Sequence, residues 1–121
     1  MSRLQLAPLG RRDIDNIYDY IARRDRRPAT ADKVVSELTD ACRSYADAFA
    51  SGSVLGTARS DLGEGYRVFS HKRWVVVFRQ IDVGIEVLRV LDGSRDYSRL
   101  YLTELANGTL RTMYQQRGYW R

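Results

Sequence analysis

Two hydrophobic periods divide the chain into a helix-forming part and a strand-forming part. Between about residue 8 and residue 50, apolar side chains recur every three to four positions, the spacing of one face of an α-helix. Between residues 66 and 91 they alternate or run in short β-branched and aromatic blocks, as in the strands of a sheet. The change of period predicts an α+β fold in which most strands follow the helices.

The helix-forming part is predicted to be an antiparallel hairpin. The first helix begins at Pro8 and ends before Pro28, because proline disfavours helical geometry at Arg27. Thr30 is the expected N-cap of the second helix, which ends near Ser51. The short linker between them favours antiparallel packing. The two apolar stripes consist of Ile14, Ile17, Tyr18 and Ile21, and of Val34, Leu38, Ala41, Cys42, Tyr45 and Phe49.

The strand-forming part is predicted to be a three-stranded antiparallel meander. Its strands cover residues 66–70, 74–81 and 85–91, and linkers of hairpin length separate them. Residues 3–7 alternate between polar and apolar and predict a short N-terminal strand, whereas the polar, glycine-rich residues 52–65 predict a loop. The fold class is therefore α+β in the order β-α-α-β-β-β, with the helical hairpin on one face of the sheet.

The C-terminal residues are predicted to lie outside the main domain. Residues 1–101 form one domain, and residues 102–121 form an extension that begins as a short helix and then frays. Asn107 and Gly108 are expected to end that helix. A segment that docks on a partner is the alternative interpretation of this tail.

The composition excludes several classes of site. The single cysteine, Cys42, rules out an intrachain disulfide, and the single histidine, His71, rules out centres with several imidazole ligands, so no metal or cofactor is expected. Cys42 lies on an apolar stripe and is interpreted as a core residue, and His71 as a solvated turn residue. No segment has the length of a membrane helix or the pattern of a signal peptide, which predicts a cytoplasmic protein.

The charge of the chain favours an anionic partner. The 121 residues contain 20 Lys+Arg and 15 Asp+Glu, which leaves a net charge of +5. This charge indicates either nucleic acid or an acidic protein segment as the partner, and solubility alone is the alternative.

Four arginines are predicted to form a basic stripe across the sheet. Three lie on the predicted strands and one just beyond them: Arg67, Arg79, Arg89 and Arg95. In the alternative interpretation, Arg79 or Arg89 pairs with an acid such as Asp13 or Glu86. Asp96 is expected to cap local backbone amides.

The spaced combination of several segments resembles the ParE/RelE superfamily of bacterial type II toxins, and is closest to the ParE-like branch. The resemblance spans about residues 4–100 and implies the β-α-α-β-β-β fold described above. Asp92 departs from the pattern, because close relatives often carry histidine before the glycine. The segments that carry the resemblance are residues 13–22, 65–67, 75–79, 84–91 and 93–96.

Two activities are known in this superfamily. RelE-like members cut messenger RNA on the ribosome, and such a nuclease would use Arg67, Arg95 and Tyr101 here, with His71 as a proton donor or acceptor. However, Phe69 and Val75 stand where basic residues are expected in that branch.

ParE-like members lack this set of residues and inhibit DNA gyrase. The resemblance therefore favours a gyrase inhibitor with no catalytic residues. It implies that the target is contacted by Arg67, Arg89, Arg95 and Asp96.

The resemblance also implies a protein partner. Toxins of this superfamily are neutralised by a cognate antitoxin, whose helical or extended segment lies along the helical hairpin and the sheet. An acidic segment of this kind is expected to form a hetero-oligomer with the basic chain. The residues predicted to contact the antitoxin are Tyr18, Tyr20, Tyr45, Arg23 and Arg24.

Overall fold

The computed structural model describes residues 2–94, which form two helices and a five-stranded sheet. This architecture confirms the predicted α+β class and the predicted order of elements. The proposed extension at residues 102–121 lies outside the described residues. The elements are β1 (Arg3–Leu6), α1 (Pro8–Asp25), α2 (Pro28–Ala50), β2 (Thr57–Ala58), β3 (Tyr66–His71), β4 (Trp74–Ile81) and β5 (Gly84–Asp92).

The two helices are joined by a tight turn whose position differs slightly from the prediction. α1 ends because Arg26 adopts a left-handed conformation with φ of 53°. The prediction that Thr30 caps α2 is wrong, since the cap is Arg27, three residues earlier, and α2 begins at Pro28. Proline is favourable at the first helical position, where its missing N–H has no partner to lose. Neither helix within the described residues is apolar over a long enough stretch to cross a membrane.

The sheet has the strand order β1-β5-β4-β3-β2. β1 runs parallel to β5, while all other neighbours are antiparallel. The strand β2 lies in the region predicted to be a loop, where Thr57 pairs with Val68 and Ala58 pairs with Arg67. Two residues are too few to show an alternating pattern, so only the neighbouring strand reveals β2.

α1 packs closely against β5 near the end of β1. A Cβ at Gly10 would lie 2.7 Å from the carbonyl oxygen of Val87, so only glycine permits this approach. β1 pairs with β5 as far as Val87, and β5 then has an irregular register at Leu88, which has no partner on β4. The close approach brings Asp13, one turn further along α1, to this part of β5.

The core occupies both faces of the sheet. On one face, the apolar sides of α1 and α2 cover residues such as Phe78 and Val87. On the other face, Leu62 from the loop before β3 covers Val77 and its neighbours. Cys42 belongs to the helix-covered core, where burial raises the pKa of its thiol to about 12. Its thiol is therefore unreactive at neutral pH.

Candidate functional site

Arg89 is held by α1 in a largely buried ion pair. Its guanidinium donates from Nε to Oδ2 of Asp13 at 2.7 Å and from a terminal nitrogen to Oδ1 at 3.1 Å. The Asp13 and Arg89 side chains are 14% and 13% exposed. Oδ2 also accepts the backbone N–H of Val90 at 2.9 Å. Asp13 thereby fixes the end of β5 as well as neutralising Arg89.

Arg79 is engaged on the sheet face opposite to the helices. Its Nε donates to Oε1 of Glu86 at 2.7 Å, and Nε2 of Gln5 donates to Oε2 of the same carboxylate at 3.1 Å. Glu86 is buried, whereas the Arg79 side chain is about half exposed. Both ion pairs match the alternative interpretation, in which Arg79 and Arg89 pair with acids.

Arg67 holds the loop that leads into β2. Its Nε donates to the carbonyl oxygen of Leu55 and a terminal nitrogen donates to that of Gly56, each at 2.8 Å. Arg67 shares a sheet face with Phe69, whereas Arg79 lies opposite Tyr66 in the β3–β4 register and so on the other face. The predicted basic stripe is therefore wrong for its described members, because Arg67 and Arg79 lie on opposite faces and all three described arginines bind partners within the fold.

A corner at the end of β5 is fixed by Asp92. Its carboxylate accepts the Ser94 hydroxyl at 2.7 Å, the Ser94 backbone N–H at 2.9 Å and the Arg73 guanidinium at 2.6 Å. These donors, those of Ser94 first, hold the pKa of Asp92 well below its usual range. The corner orients the chain just before Arg95, Asp96 and Tyr101, which lie outside the described residues.

A groove of about 310 Å³ lies between α1, the start of β4 and the end of β5. Both of its carboxylates face an arginine, since Asp13 pairs with Arg89 and Asp92 pairs with Arg73. The Arg73 guanidinium also lies over the ring of Trp74, 5.0 Å from its centroid. The groove is therefore aromatic and balanced in charge. Its lining residues are Asp13, Asn16, Ile17, Tyr20, Arg73, Trp74, Val90 and Asp92.

Three comparisons with known proteins agree on one family. Residues 4–97 match the family described as the ParE toxin of type II toxin-antitoxin system, parDE. The chain belongs to the ParE toxin family. It is 33% identical over 81 residues to Toxin ParE3 of Caulobacter vibrioides, an alignment that covers 67% of this chain and 76% of that protein.

A solved structure titled as a chromosomal ParDE TA system from P. aeruginosa shares the fold of this ParE-family chain. The TM-score is 0.61 at 21% identity, and the match covers 76% of this chain and 96% of that chain.

The three tyrosines predicted to bind the antitoxin of this ParE-family toxin have different environments. Tyr45 stacks on Phe69 with ring centroids 3.9 Å apart and contributes to the core. Tyr18 is partly buried against the core, and its hydrogen bond to Asp32 raises the pKa of its hydroxyl. Tyr20 lines the groove and is 55% exposed, so it alone of the three presents most of its ring to solvent.

The two predicted antitoxin-binding arginines lie one turn beyond Tyr20 on α1. Arg24 sits over the Tyr20 ring at 5.5 Å and pairs with Asp25 at 2.8 Å. This pair lowers the pKa of Asp25 and raises that of Arg24. Arg23 is exposed.

His71 differs from the expected solvated turn residue. It is the last residue of β3, and its Nε2 atom is buried without a hydrogen-bond partner among the described residues. No group of three or more His, Cys, Asp or Glu side chains within residues 2–94 is arranged to hold a metal ion.

Of the eight residues that line the groove, only Tyr20 belongs to the predicted site, and the four on α1 share a helical spacing that is visible in the sequence. Asn16 lies with Asp13, Ile17 and Tyr20 at the i, i+3, i+4, i+7 spacing of one helix face. Arg73 and Trp74 meet that face only through the tertiary packing of the β3–β4 hairpin, so the local pattern contains no sign of them.

Proposed function

We propose that this ParE-family toxin inhibits DNA gyrase in the cytoplasm and is neutralised by a cognate ParD-like antitoxin. Family membership supports a toxin of a toxin–antitoxin system. The choice of gyrase over messenger RNA comes from the resemblance to the ParE-like branch and from the state of the sheet arginines.

One observation carries the choice of target: the strand arginines are committed to the fold. RNA cleavage needs basic groups that are free to stabilise a charged phosphorane and to transfer protons. Within the described residues, Arg67 donates to two main-chain carbonyls, Arg79 pairs with Glu86 and Arg89 pairs with Asp13. Apolar side chains at Phe69 and Val75 are buried where the nuclease branch would carry basic ones.

The proposed contacts with gyrase divide into two roles. Arg95 and Asp96 follow the corner made by Asp92 and are proposed to contact the target directly. Arg67 and Arg89 are proposed to support that surface, because their guanidinium groups hold the β2 loop and the end of β5.

A gyrase assay tests this proposal. The purified protein is incubated with DNA gyrase, ATP and relaxed plasmid, and we expect loss of supercoiling with accumulation of cleaved DNA. The variant Arg95→Ala should abolish this effect at unchanged stability, whereas Arg43→Ala, a change at an exposed position on α2, should not. Unimpaired supercoiling together with messenger RNA cut on translating ribosomes would instead establish the nuclease.

The groove beside Tyr20 is the proposed anchor point for the antitoxin. Its volume accommodates one or two apolar side chains, and its own charges are already balanced. An antitoxin segment that fills the groove and continues along α1 meets Arg23 and Arg24, which favour acidic residues. The proposed occupant is therefore a helical or extended segment with an apolar anchor followed by acidic side chains.

Two variants test the antitoxin site. Tyr20→Ala should weaken binding of the antitoxin at least about tenfold, because aromatic residues at the centre of an interface carry much of the affinity. Val54→Ala removes an equally exposed apolar side chain (60% against 55%) from the loop before β2 and serves as the matched control. Equal affinities of the two variants for the antitoxin would place its anchor elsewhere.

A further inference from the structure

Within residues 2–94, the positive charge is concentrated at the tip of the helical hairpin. We define the hairpin tip as Arg23, Arg24, Arg26 and Arg27, which surround Asp25 at the junction of α1 and α2. Residues 23–27 therefore carry a net charge of +3, and residues 95–121 carry another +3 of the total of +5. Residues 2–94 hold 15 basic and 13 acidic side chains, a balance of +2, so the rest of the described chain is slightly negative.

Most charges of the hairpin tip are not neutralised by neighbouring side chains. Arg24 pairs with Asp25, but no carboxylate of the described residues lies within ion-pair distance of Arg23, Arg26 or Arg27. All four arginines are exposed. The nearby Asp32 carboxylate already accepts the hydroxyl of Tyr18.

The geometry of the turn spreads these charges rather than stacking them on one helix face. Arg23 and Arg24 belong to the last turn of α1, Arg26 is left-handed, and Arg27 is the extended residue before α2. α2 begins at Pro28, so the positive end of its dipole adds to the same region. A strand of regularly spaced anions is the ligand that such an arrangement fits.

The composition of the hairpin tip, four arginines and one aspartate, favours a nucleic acid over a protein as the ligand. Protein interfaces are built around apolar and aromatic anchors, whereas contacts to the phosphate backbone need only donors and charge. The large exposed apolar side chains of the described residues are Tyr20, Val54, Leu55 and Val83. None is a residue of the hairpin tip, and the Tyr20 ring contacts it only at Arg24 within the described contacts. Arginine also binds phosphate through two parallel hydrogen bonds.

We propose that the hairpin tip binds the backbone phosphates of duplex DNA without reading its sequence. This inference goes beyond the proposed function and stands without it, because it rests on charge and exposure alone. Arg23 and Arg24 are also predicted antitoxin contacts, so an acidic antitoxin segment would compete with DNA for half of this surface.

The dependence of affinity on salt provides the sharpest measurement. Binding to B-DNA weakens with a log–log slope of about −0.9 per phosphate neutralised, so three contacts give about −2.7. The affinity of the full-length protein for two 20-base-pair duplexes of unrelated sequence is measured by fluorescence anisotropy. Each titration is repeated at salt concentrations between about 50 and about 200 mM, with no other protein present.

Matched double variants separate the hairpin tip from the total charge. Arg23→Gln/Arg27→Gln should reduce the magnitude of the slope to about 1, since two phosphate contacts are lost. Arg11→Gln/Arg12→Gln removes the same charge from the exposed opposite end of α1 and should leave the slope near −2.7. The two duplexes are expected to give equal slopes. A larger loss of slope for Arg23→Gln/Arg27→Gln than for Arg11→Gln/Arg12→Gln supports the site.

Three outcomes overturn the proposal. Equal weakening by the two double variants would mean that only net charge matters. Absence of binding at about 50 mM salt would exclude a DNA site. Tighter binding of poly-glutamate than of DNA would assign the hairpin tip to an acidic protein instead. Because gyrase is absent from this assay, its failure does not affect the gyrase proposal, and the supercoiling assay decides that separately.

Discussion

The strand arginines and the hairpin-tip arginines are chemically the same residue in opposite situations. Each strand arginine, Arg67, Arg79 or Arg89, reaches a carboxylate or a carbonyl that belongs to another element. In the hairpin tip, Arg24 pairs with Asp25, and the other three arginines have no ion pair among residues 2–94. The difference shows that the sequence position of a basic residue says little about whether its charge is available.

Some contacts of the sheet join residues that are far apart along the chain. Asp13 and Arg89 are separated by 76 residues, and Gln5 and Glu86 by 81. Only the folded sheet brings these two pairs together. Arg79 and Glu86, by contrast, are seven residues apart across the β4–β5 hairpin, and Arg67 lies eleven and twelve residues from its two acceptors. All three strand arginines bind groups that the fold holds in place. We therefore expect substitutions at the strand contacts to reduce stability, and substitutions at the hairpin tip to affect binding.

The largest effect is expected for Asp13→Ala. The substitution leaves the buried Arg89 guanidinium without its carboxylate and the Val90 N–H without its acceptor, which should reduce the free energy of unfolding by about 3 kcal/mol. Urea unfolding measures this loss. Asp15→Ala, on the exposed side of the same helix, is the control and should cost less than about 0.5 kcal/mol. Similar losses for both variants would remove the distinction between committed and available charges.

The next effect concerns Asp92 and has a defined pH dependence. Because its pKa is lowered on folding, its contribution is present above the unfolded pKa of about 3.9 and is lost as the pH falls through the lower folded pKa. Asp92→Asn should therefore lower the unfolding free energy by about 1 kcal/mol at neutral pH. Urea unfolding at several pH values should show the gap between the two proteins closing below about pH 4. A gap of constant size would show that the charge of Asp92 is not involved.

A smaller and more local effect is expected for Arg67→Met. Loss of the two hydrogen bonds to Leu55 and Gly56 should cost about 1 kcal/mol or less and loosen β2. Hydrogen exchange should accelerate at residues 57–58 while β4 stays protected. Arg79→Met, which removes a half-exposed ion pair elsewhere on the sheet, should leave exchange in β2 unchanged.

The smallest effect on stability is expected at the hairpin tip. Arg23→Gln/Arg27→Gln should change the unfolding free energy by less than about 0.5 kcal/mol, because neither side chain has an ion pair or a capping hydrogen bond within the described residues. Thermal unfolding of this double variant therefore checks that any loss of DNA binding is not a loss of fold. A large decrease in stability would mean that the hairpin tip, like the strand arginines, supports the structure.

Much of the fold is readable from the sequence because it is local. The helix stripes and the strand alternation depend on neighbours a few residues apart, and the turn at Arg26 and Pro28 changes only where α2 begins. By contrast, the parallel pairing of β1 with β5 joins the two ends of the described chain. No local pattern contains that pairing, and β2 exists only as the partner of β3.

The candidate site is less predictable than the fold for the same reason. Tyr20 and Tyr45 are both large aromatic residues on predicted helices, and only packing separates them, since Tyr45 stacks on Phe69 while Tyr20 lines the groove. The pairing of Arg89 with Asp13 can be named as an alternative from charge alone. Deciding that Arg89 is paired rather than exposed requires knowing that α1 approaches β5 closely at Gly10.

The central position of β5 in the sheet determines when the fold can be completed during synthesis. It is the last described strand to be synthesised, yet it lies between β1 and β4 in the sheet. At about 5–20 residues per second, β1 leaves the ribosome several seconds before its neighbour. Until β5 emerges, β1 has no neighbouring strand in the described sheet, Asp13 has no Arg89 to bind, and the groove lacks one wall. The groove and the buried ion pair are therefore completed only when the last described strand has been made.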